Sequence, residues 1–194
     1  MNKNIQEIIS CFQLSSKLIS DSEHLAPKIE NAIKIINDCF SEGKKLVVFG
    51  NGGSAADAQH IAAELIGRFK TERKSLPSIA LSTDTSILTS LSNDYSFDLI
   101  FQRQCEGLVR SGDVVLGIST SGNSKNVENG LKAAKKIGAT TIALLGNEGG
   151  KIKDLVDLSI IVNSNSTSKI QEVHRVIYHI ICEKVEENFD EQNG

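Results

Sequence analysis

The sequence has no block of basic residues to set against its formal net charge of -3, so it offers no electrostatic case for nucleic acid or an anionic membrane as the main partner. Any phosphate must then be held by local groups. The four cysteines, Cys11, Cys39, Cys105 and Cys182, are scattered without a CxxC pair or metal-finger spacing, and buried reduced thiols are the expectation. Residues 1–20 carry Lys3, Glu7 and Lys17 among their apolar positions, so they lack the uninterrupted apolar core of a secretory signal. No stretch approaches the apolar length that spans a bilayer. These absences predict a cytoplasmic protein with no membrane partner. There is also no low-complexity tract, and the polar stretch 163–168 is too short to be a linker. With 40% hydrophobic and 23% charged residues the composition is near that of a soluble globular protein and favours neither a disordered nor a fibrous class. A single domain over residues 1–194 is expected, long enough to bury one continuous core.

What is present is an alternation of two periodicities. Ile5, Ile8, Ile9, Phe12, Ser16 and Ile19 recur at three- and four-residue steps, and Ile29, Ile33, Ile36 and Phe40 do so again, which predicts two helices within residues 1–43. Pro27 stands near the start of the second and Gly43 follows its end. Both helices are more apolar than a surface extension requires, and their surplus face offers an oligomer interface. Apolar runs then follow at residues 46–49, 79–81, 114–118, 141–145 and 158–162, the second of them weak, with helices expected over 55–69, 126–137 and 169–189. Strands that are apolar at nearly every position belong in a sheet covered on both faces. The pattern predicts an α/β sandwich with a mainly parallel sheet.

Between the run at 114–118 and the helix that follows lie Ser119, Thr120, Ser121, Gly122, Asn123 and Ser124. Ligands of open α/β sheets sit at the carboxyl ends of the strands, where a helix N-terminus presents free N–H groups to an anion. Three serines and a threonine add neutral hydroxyl donors, and Gly122 lets the backbone curl around the oxygens. The plainer alternative is a helix cap at Ser124, but a cap needs one such residue, not four in six positions. This is a phosphate cradle without the lysine of a GxxxxGK[ST] loop, which argues against nucleoside triphosphate hydrolysis. A second glycine-rich turn, Gly50 to Ser54, offers another contact with a phosphorylated ligand, although its glycines could equally serve tight packing.

Three blocks in order, residues 50–60 with Ala63, Glu64, Leu65, Gly67 and Arg68, then residues 117–124, then Ile170, Gln171, Glu172, Val173 and His174, resemble the phosphoheptose isomerase group of the sugar isomerase (SIS) family. The similarity runs over essentially the whole chain. It implies a flavodoxin-like three-layer sandwich, a homotetramer with active sites between subunits, and conversion of sedoheptulose 7-phosphate to D-glycero-D-manno-heptose 7-phosphate for surface glycans. Carried over by position, it implies substrate contacts at Asn51, Gly52, Gly53, Glu64, Asn93, Asp94, Ser119, Thr120, Ser121, Ser124 and Gln171. It implies Glu64 and His179 as catalytic base and acid, and one zinc per subunit at His60, Glu64, Gln171 and His179.

The residue types suit that chemistry. Ketose to aldose conversion through an enediol needs a base near carbon and an acid near oxygen, and a metal would stabilise the enediolate as a Lewis acid. His60 and Glu64, four apart, share a helix face, and Glu64 lies in an apolar setting where an unpaired carboxylate is costly. Gln171 and His179 fall within roughly 80° of each other on a helix but about 12 Å apart along it, so Gln171 either stretches to a metal, contacts sugar, or acts in another subunit's site. His174 is expected to be packed or hydrogen-bonded. The rivals are a non-catalytic SIS relative that binds the replication initiator, which departs from the isomerase pattern at the positions of Glu64 and His179, a SIS sensor of transcription, which would need a DNA-binding extension, and a SIS isomerase for another sugar phosphate.

Overall fold

The apolar runs become the sheet because nothing else in the chain can be buried so completely. The computed structural model describes residues 2–190. Its strands are Leu46–Gly50 (β1), Ser78–Ala80 (β2), Val114–Ser119 (β3), Thr140–Gly146 (β4) and Leu158–Val162 (β5), all parallel, in the order β2-β1-β3-β4-β5. Every residue of β1 and β3 is buried, whereas the edge strands β2 and β5 alternate. That contrast is the signature of central strands with both faces covered beside edges that are covered less well.

The helices are Lys3–Asp21 (α1), Ala26–Ser41 (α2), Gly53–Ile66 (α3), Thr85–Asp94 (α4), Ile100–Leu108 (α5), Lys125–Ile137 (α6) and Thr167–Asn188 (α7). One sheet face, through Val48, Leu116, Ile118 and Leu144, packs on α2, α3 and α7. The other, through Val47, Phe49, Val115 and Leu145, packs on α5 and α6. The three-layer sandwich is therefore as expected, with α4 and α5 added where the sequence pattern had not resolved individual helices. Strand order turns back between β1 and β3, so the carboxyl ends of these two neighbours open the crevice in which such sheets bind ligands.

The N-terminal helices divide the role expected of both. α2 is a core helix that buries Ile29, Ala32, Ile36, Cys39 and Phe40. α1 buries none of its residues and leaves Ile5, Ile8, Ile9, Phe12 and Leu14 exposed, so the surplus apolar face belongs to α1. Three cysteines are buried as expected, and burial pushes the thiols of Cys39, Cys105 and Cys182 up to about 11, 12 and 12. Cys11 departs from that expectation because it lies on exposed α1. Among the described residues no helix is long and apolar enough to cross a membrane.

α3 ends at Ile66, short of the expected residue 69, because Arg73 takes its last carbonyls. The guanidinium donates to the backbone oxygens of Glu64, Leu65, Gly67 and Lys74 and pairs at 3.3 Å with Glu186 of α7. Glu186 in turn accepts from the N–H groups of Phe69, Lys70 and Thr71. Burial alone would raise its pKa, but those three N–H groups and Arg73 hold it below the ordinary value. This node ties the segment after α3 to the C-terminal half of α7.

His174 is fully buried, and its Nε2 donates to the Leu145 carbonyl at the end of β4 over 3.0 Å. Burial pushes its pKa below the ordinary value, with the Leu145 bond and the charge of Asp57 opposing. In the unfolded chain the ring titrates near 6.5, so as pH falls the unfolded chain takes up the proton first. The stabilisation from burying the neutral ring is complete above about 6.5 and is lost as pH falls from there toward the lowered folded value, with a slope of up to about 1.4 kcal/mol per pH unit. The variant His174→Gln, which keeps an amide donor for Leu145, is expected to lose this part of the acid sensitivity in urea midpoints measured between about pH 5 and about pH 8. An unchanged slope would show that the ring titrates normally.

Candidate active site

Two loops and three helix starts converge at the β1/β3 crevice. Asn51, Gly52, Gly53, Ser54, Ile118, Ser119, Thr120, Ser124, Thr167 and Gln171 line a cavity of about 260 Å³. The residues that precede α3, α6 and α7, namely Gly52, Ser124 and Ser166, make no side-chain cap bond. Three positive helix ends therefore surround a cavity whose lining has no charged side chain, an arrangement that receives an anion through backbone N–H groups and dipoles. Ser124 occupies the cap position yet turns its Oγ to Ser119 Oγ at 3.0 Å. The hydroxyl cluster is thus not a helix cap. Asn51 and Asn126 exchange amide hydrogen bonds of 2.8 Å in both directions and stitch the two loops together.

Gly122 sets the curvature of the second loop. Its φ is +66°, and a Cβ there would collide with the carbonyl of Gly149. Gly53 serves the other loop by letting Gln171 approach, since a Cβ on it would lie 2.5 Å from Gln171 Nε2. Ser121 stands at the rim, with its Oγ 3.5 Å from Ser119 Oγ and accepting from the Asn123 N–H. It faces a larger cavity of about 730 Å³ shared with Asn123, Asn147, Glu148 and Asn163 on the far flank of the loop.

A second cluster lies further along α3 and α7. His60 Nε2 is 2.8 Å from Glu64 Oε1, and the His60 and His179 rings meet edge to face with centroids 5.2 Å apart. The Glu64 side chain keeps 21% of its surface exposed, enough to meet a ligand. Phe69, held by Glu186, packs on the other side of His179 at 5.6 Å. Burial pushes the His179 pKa below its ordinary value, with His60 and Arg175 adding to that and Glu64 opposing it, so the ring is neutral at neutral pH.

The protomer does not gather every expected residue. Gln171 is brought to the anion cavity and not to His179. Asn93 and Asp94 sit exposed at the end of α4, where the amide of Asn93 donates to Asp94 over 2.8 Å, and neither lines the cavity. Among the described residues no group of three or more His, Cys, Asp or Glu side chains is arranged around a common point for a metal. Sequence reasoning also missed residues that the structure supplies. Thr167 lines the cavity, together with Ser54 of the expected glycine-rich turn. Asp57, Arg175 and Tyr178 stand behind His60, and the helix-face argument that joined His60 to Glu64 would have found Asp57, three residues before His60.

An uncapped anion cradle at the switch point of a parallel sheet, with the family model described as the SIS domain matching residues 12–146, makes this a SIS-domain protein. The phosphoheptose isomerase of Citrifermentans bemidjiense is 59% identical over 162 residues, 84% of each chain. Solved structures of phosphoheptose isomerases from Neisseria gonorrhoeae (TM-score 0.91, 39% identity, 95% of this chain and 100% of that one) and Francisella tularensis (0.89, 32%, 96% and 100%) share the fold. The chain belongs to the phosphoheptose isomerase family.

If the cradle depends on its curvature, Gly122→Ala should disable it. Placing alanine in the left-handed region costs about 1–2 kcal/mol before the clash with Gly149 is counted. The variant is expected to melt at a lower temperature and to gain no thermal stabilisation from inorganic phosphate. A wild-type shift with phosphate would remove the loop from the anion site.

Proposed function

We propose that this chain isomerises D-sedoheptulose 7-phosphate to D-glycero-D-manno-heptose 7-phosphate, the first step toward activated heptose for lipopolysaccharide, capsule or other surface glycans. The observation that carries the reading is the division of labour along α7. Gln171 lines the anion cradle, and His179, eight residues on, meets His60, the hydrogen-bond partner of Glu64. About 12 Å of helix separates them, a span suited to a ligand whose phosphate and reacting carbons are at opposite ends of a long open chain. Relatives named phosphoheptose isomerase support the same substrate class.

In this reading the phosphate rests on Ser119, Thr120, Ser124 and the three helix starts, with Ser121 at the rim and Asn51, Gly52, Gly53 and Gln171 beside it. The Glu64 carboxylate removes a proton from C1 of the ketose while His179 gives an N–H proton to the C2 oxygen, and the enediol results. Return of the carbon proton to C2, with removal of the hydroxyl proton at O1, gives the aldose. A neutral imidazole suits a role in which one proton is given to oxygen and another taken back. Zinc belongs to the proposal on donor chemistry alone: His60, Glu64 and His179 are two imidazoles and a carboxylate, the types that catalytic zinc takes, although in the protomer they are not gathered around a common point. When bound, such an ion would polarise the substrate oxygens as a Lewis acid. Gln171, placed at the cradle, is assigned to the sugar.

A cytoplasmic homotetramer completes the proposal. The bare apolar face of α1 and the distance of Asn93 and Asp94 from the cradle both favour sites shared between subunits. Deleting residues 1–22 is expected to cause dissociation and loss of turnover together, read by light scattering and assay. A fully active monomer would overturn the shared site.

The acid and base roles are tested with purified protein and sedoheptulose 7-phosphate, with and without zinc and a chelator. Glu64→Gln and His179→Ala should each lower kcat by about 10²–10⁴-fold while the protein stays folded and still binds substrate through the cradle. Turnover near wild type in either variant would refute the assignment. Ser124→Ala should instead weaken substrate binding by about 1–3 kcal/mol, and an unchanged Michaelis constant would exclude that hydroxyl.

A further inference from the structure

Between the cradle and the reacting centre, α3 and α7 touch in three steps that run in the same order along both helices. Gly53 admits Gln171, Asp57 holds Arg175, and His60 meets Tyr178 and His179. On α7 the residues Gln171, Arg175 and His179 follow at four-residue steps, each about 40° round and about 6 Å along from the last. Arg175 therefore lies midway on the stripe that a ligand bridging the two ends must pass. Its side chain is 60% exposed, yet it is pinned at two points. Nε donates to the Tyr178 oxygen over 3.1 Å and Nη2 to Asp57 Oδ1 over 3.2 Å, and both of those partners are buried. A guanidinium has five N–H groups in a fixed plane. Two go to the anchors, and the remaining three, two on Nη1 and one on Nη2, have no partner among the described residues.

The pairing with Asp57 decides what those donors suit. A lone guanidinium would compete with the neutral cradle for the phosphate, but this one is matched by a buried carboxylate and does not line the cavity. It offers directed N–H groups with little net charge behind them, which favours neutral hydroxyl oxygens over a second anion. An ordinary surface arginine loses side-chain freedom when it binds, and this one has already lost it to its anchors. We propose that Arg175 is a substrate-binding residue that donates to the hydroxyls on the middle carbons of the open-chain sugar, so that the site selects a hydroxylated chain long enough to join the cradle to Glu64 and His179. The assignment rests on the isomerase reading above for the identity of that chain. Gln171 then serves the end of the sugar at the cradle, His179 the reacting end, and Arg175 the carbons between them.

The test is calorimetric binding of two probes to the full-length protein, inorganic phosphate and sedoheptulitol 7-phosphate, the reduced polyol that cannot be isomerised. Arg175→Met keeps the stem and removes the donors. It also leaves Asp57 without its cation, so Arg175→Lys, which returns a charge but no fork, is measured beside it. Both variants should bind the polyol phosphate about 10–100-fold more weakly, the range for hydrogen bonds to a charged group, and bind inorganic phosphate nearly as tightly as wild type. KM for sedoheptulose 7-phosphate should rise by a similar factor with kcat little changed, the mark of a contact made equally in the ground and transition states. Wild-type affinity for the polyol phosphate in either variant overturns the assignment. So does an equal loss of affinity for both probes, or a fall in kcat at constant KM, since either marks Arg175 as a joint between helices. A wild-type protein that binds the polyol phosphate without isomerising the ketose would count against the proposed function and leave Arg175 on the sugar, whereas normal turnover with an unchanged KM in the variants would strike Arg175 alone.

Discussion

A doubly charged phosphate held without a lysine or arginine must be balanced by dipoles that cannot turn away. That requirement explains why the cradle sits where it does. Backbone N–H groups are oriented only if the helices that begin with them are fixed, and α3, α6 and α7 are fixed by the two apolar faces of the sheet between them. The hydroxyls of Ser119 and Ser124 add donors, and the reciprocal Asn51–Asn126 bonds keep the two loops in step. Preformed donors lose little freedom when the anion arrives, which is how a neutral cavity can compete with water.

The same helices carry the chemistry. α3 begins at the cradle and continues to His60 and Glu64, and α7 begins there and continues to His179. Relative placement of phosphate and reacting carbons is then a property of two rigid rods, not of mobile loops. The buried Arg73–Glu186 pair serves this arrangement, because it closes the end of α3 at the carbonyls of Glu64 and Leu65 and holds Phe69 against His179. A buried ion pair is weak evidence for stability. Here its carboxylate accepts three backbone N–H bonds and its guanidinium caps four carbonyls, which makes it a joint between segments.

Much of this was legible in the sequence because burial writes itself as composition. β1, β3, β4 and β5 were apolar at nearly every position, and all four appear within a residue or two of the expected ends. The serine-rich loop was legible for a chemical reason, since four hydroxyls exceed what a helix cap can use. α4 and α5 were not resolved, because α4 buries none of its ten residues and α5 is only nine residues long. The helix-spacing argument located His60 and Glu64 together, and its doubt about Gln171 is matched by the position of that side chain beside Gly53. The equal apolarity of the first two helices concealed their difference, because periodicity reports that a face is apolar and not what covers it.

Asp57, Arg175 and Tyr178 mark the boundary of what a single sequence can display. Each has an ordinary reading on its own: an aspartate in the first turns of a helix, an arginine on an amphipathic face, a tyrosine in a core. Their meaning arises from contact, because only the packing of α3 against α7 brings a buried carboxylate, a guanidinium and a phenol together behind His60. The anion cradle follows from the β1/β3 switch point and the helix starts around it. The chemistry proposed beside it depends on where the packing of α3 against α7 places His60, with Glu64 at one ring nitrogen and Tyr178 at the other.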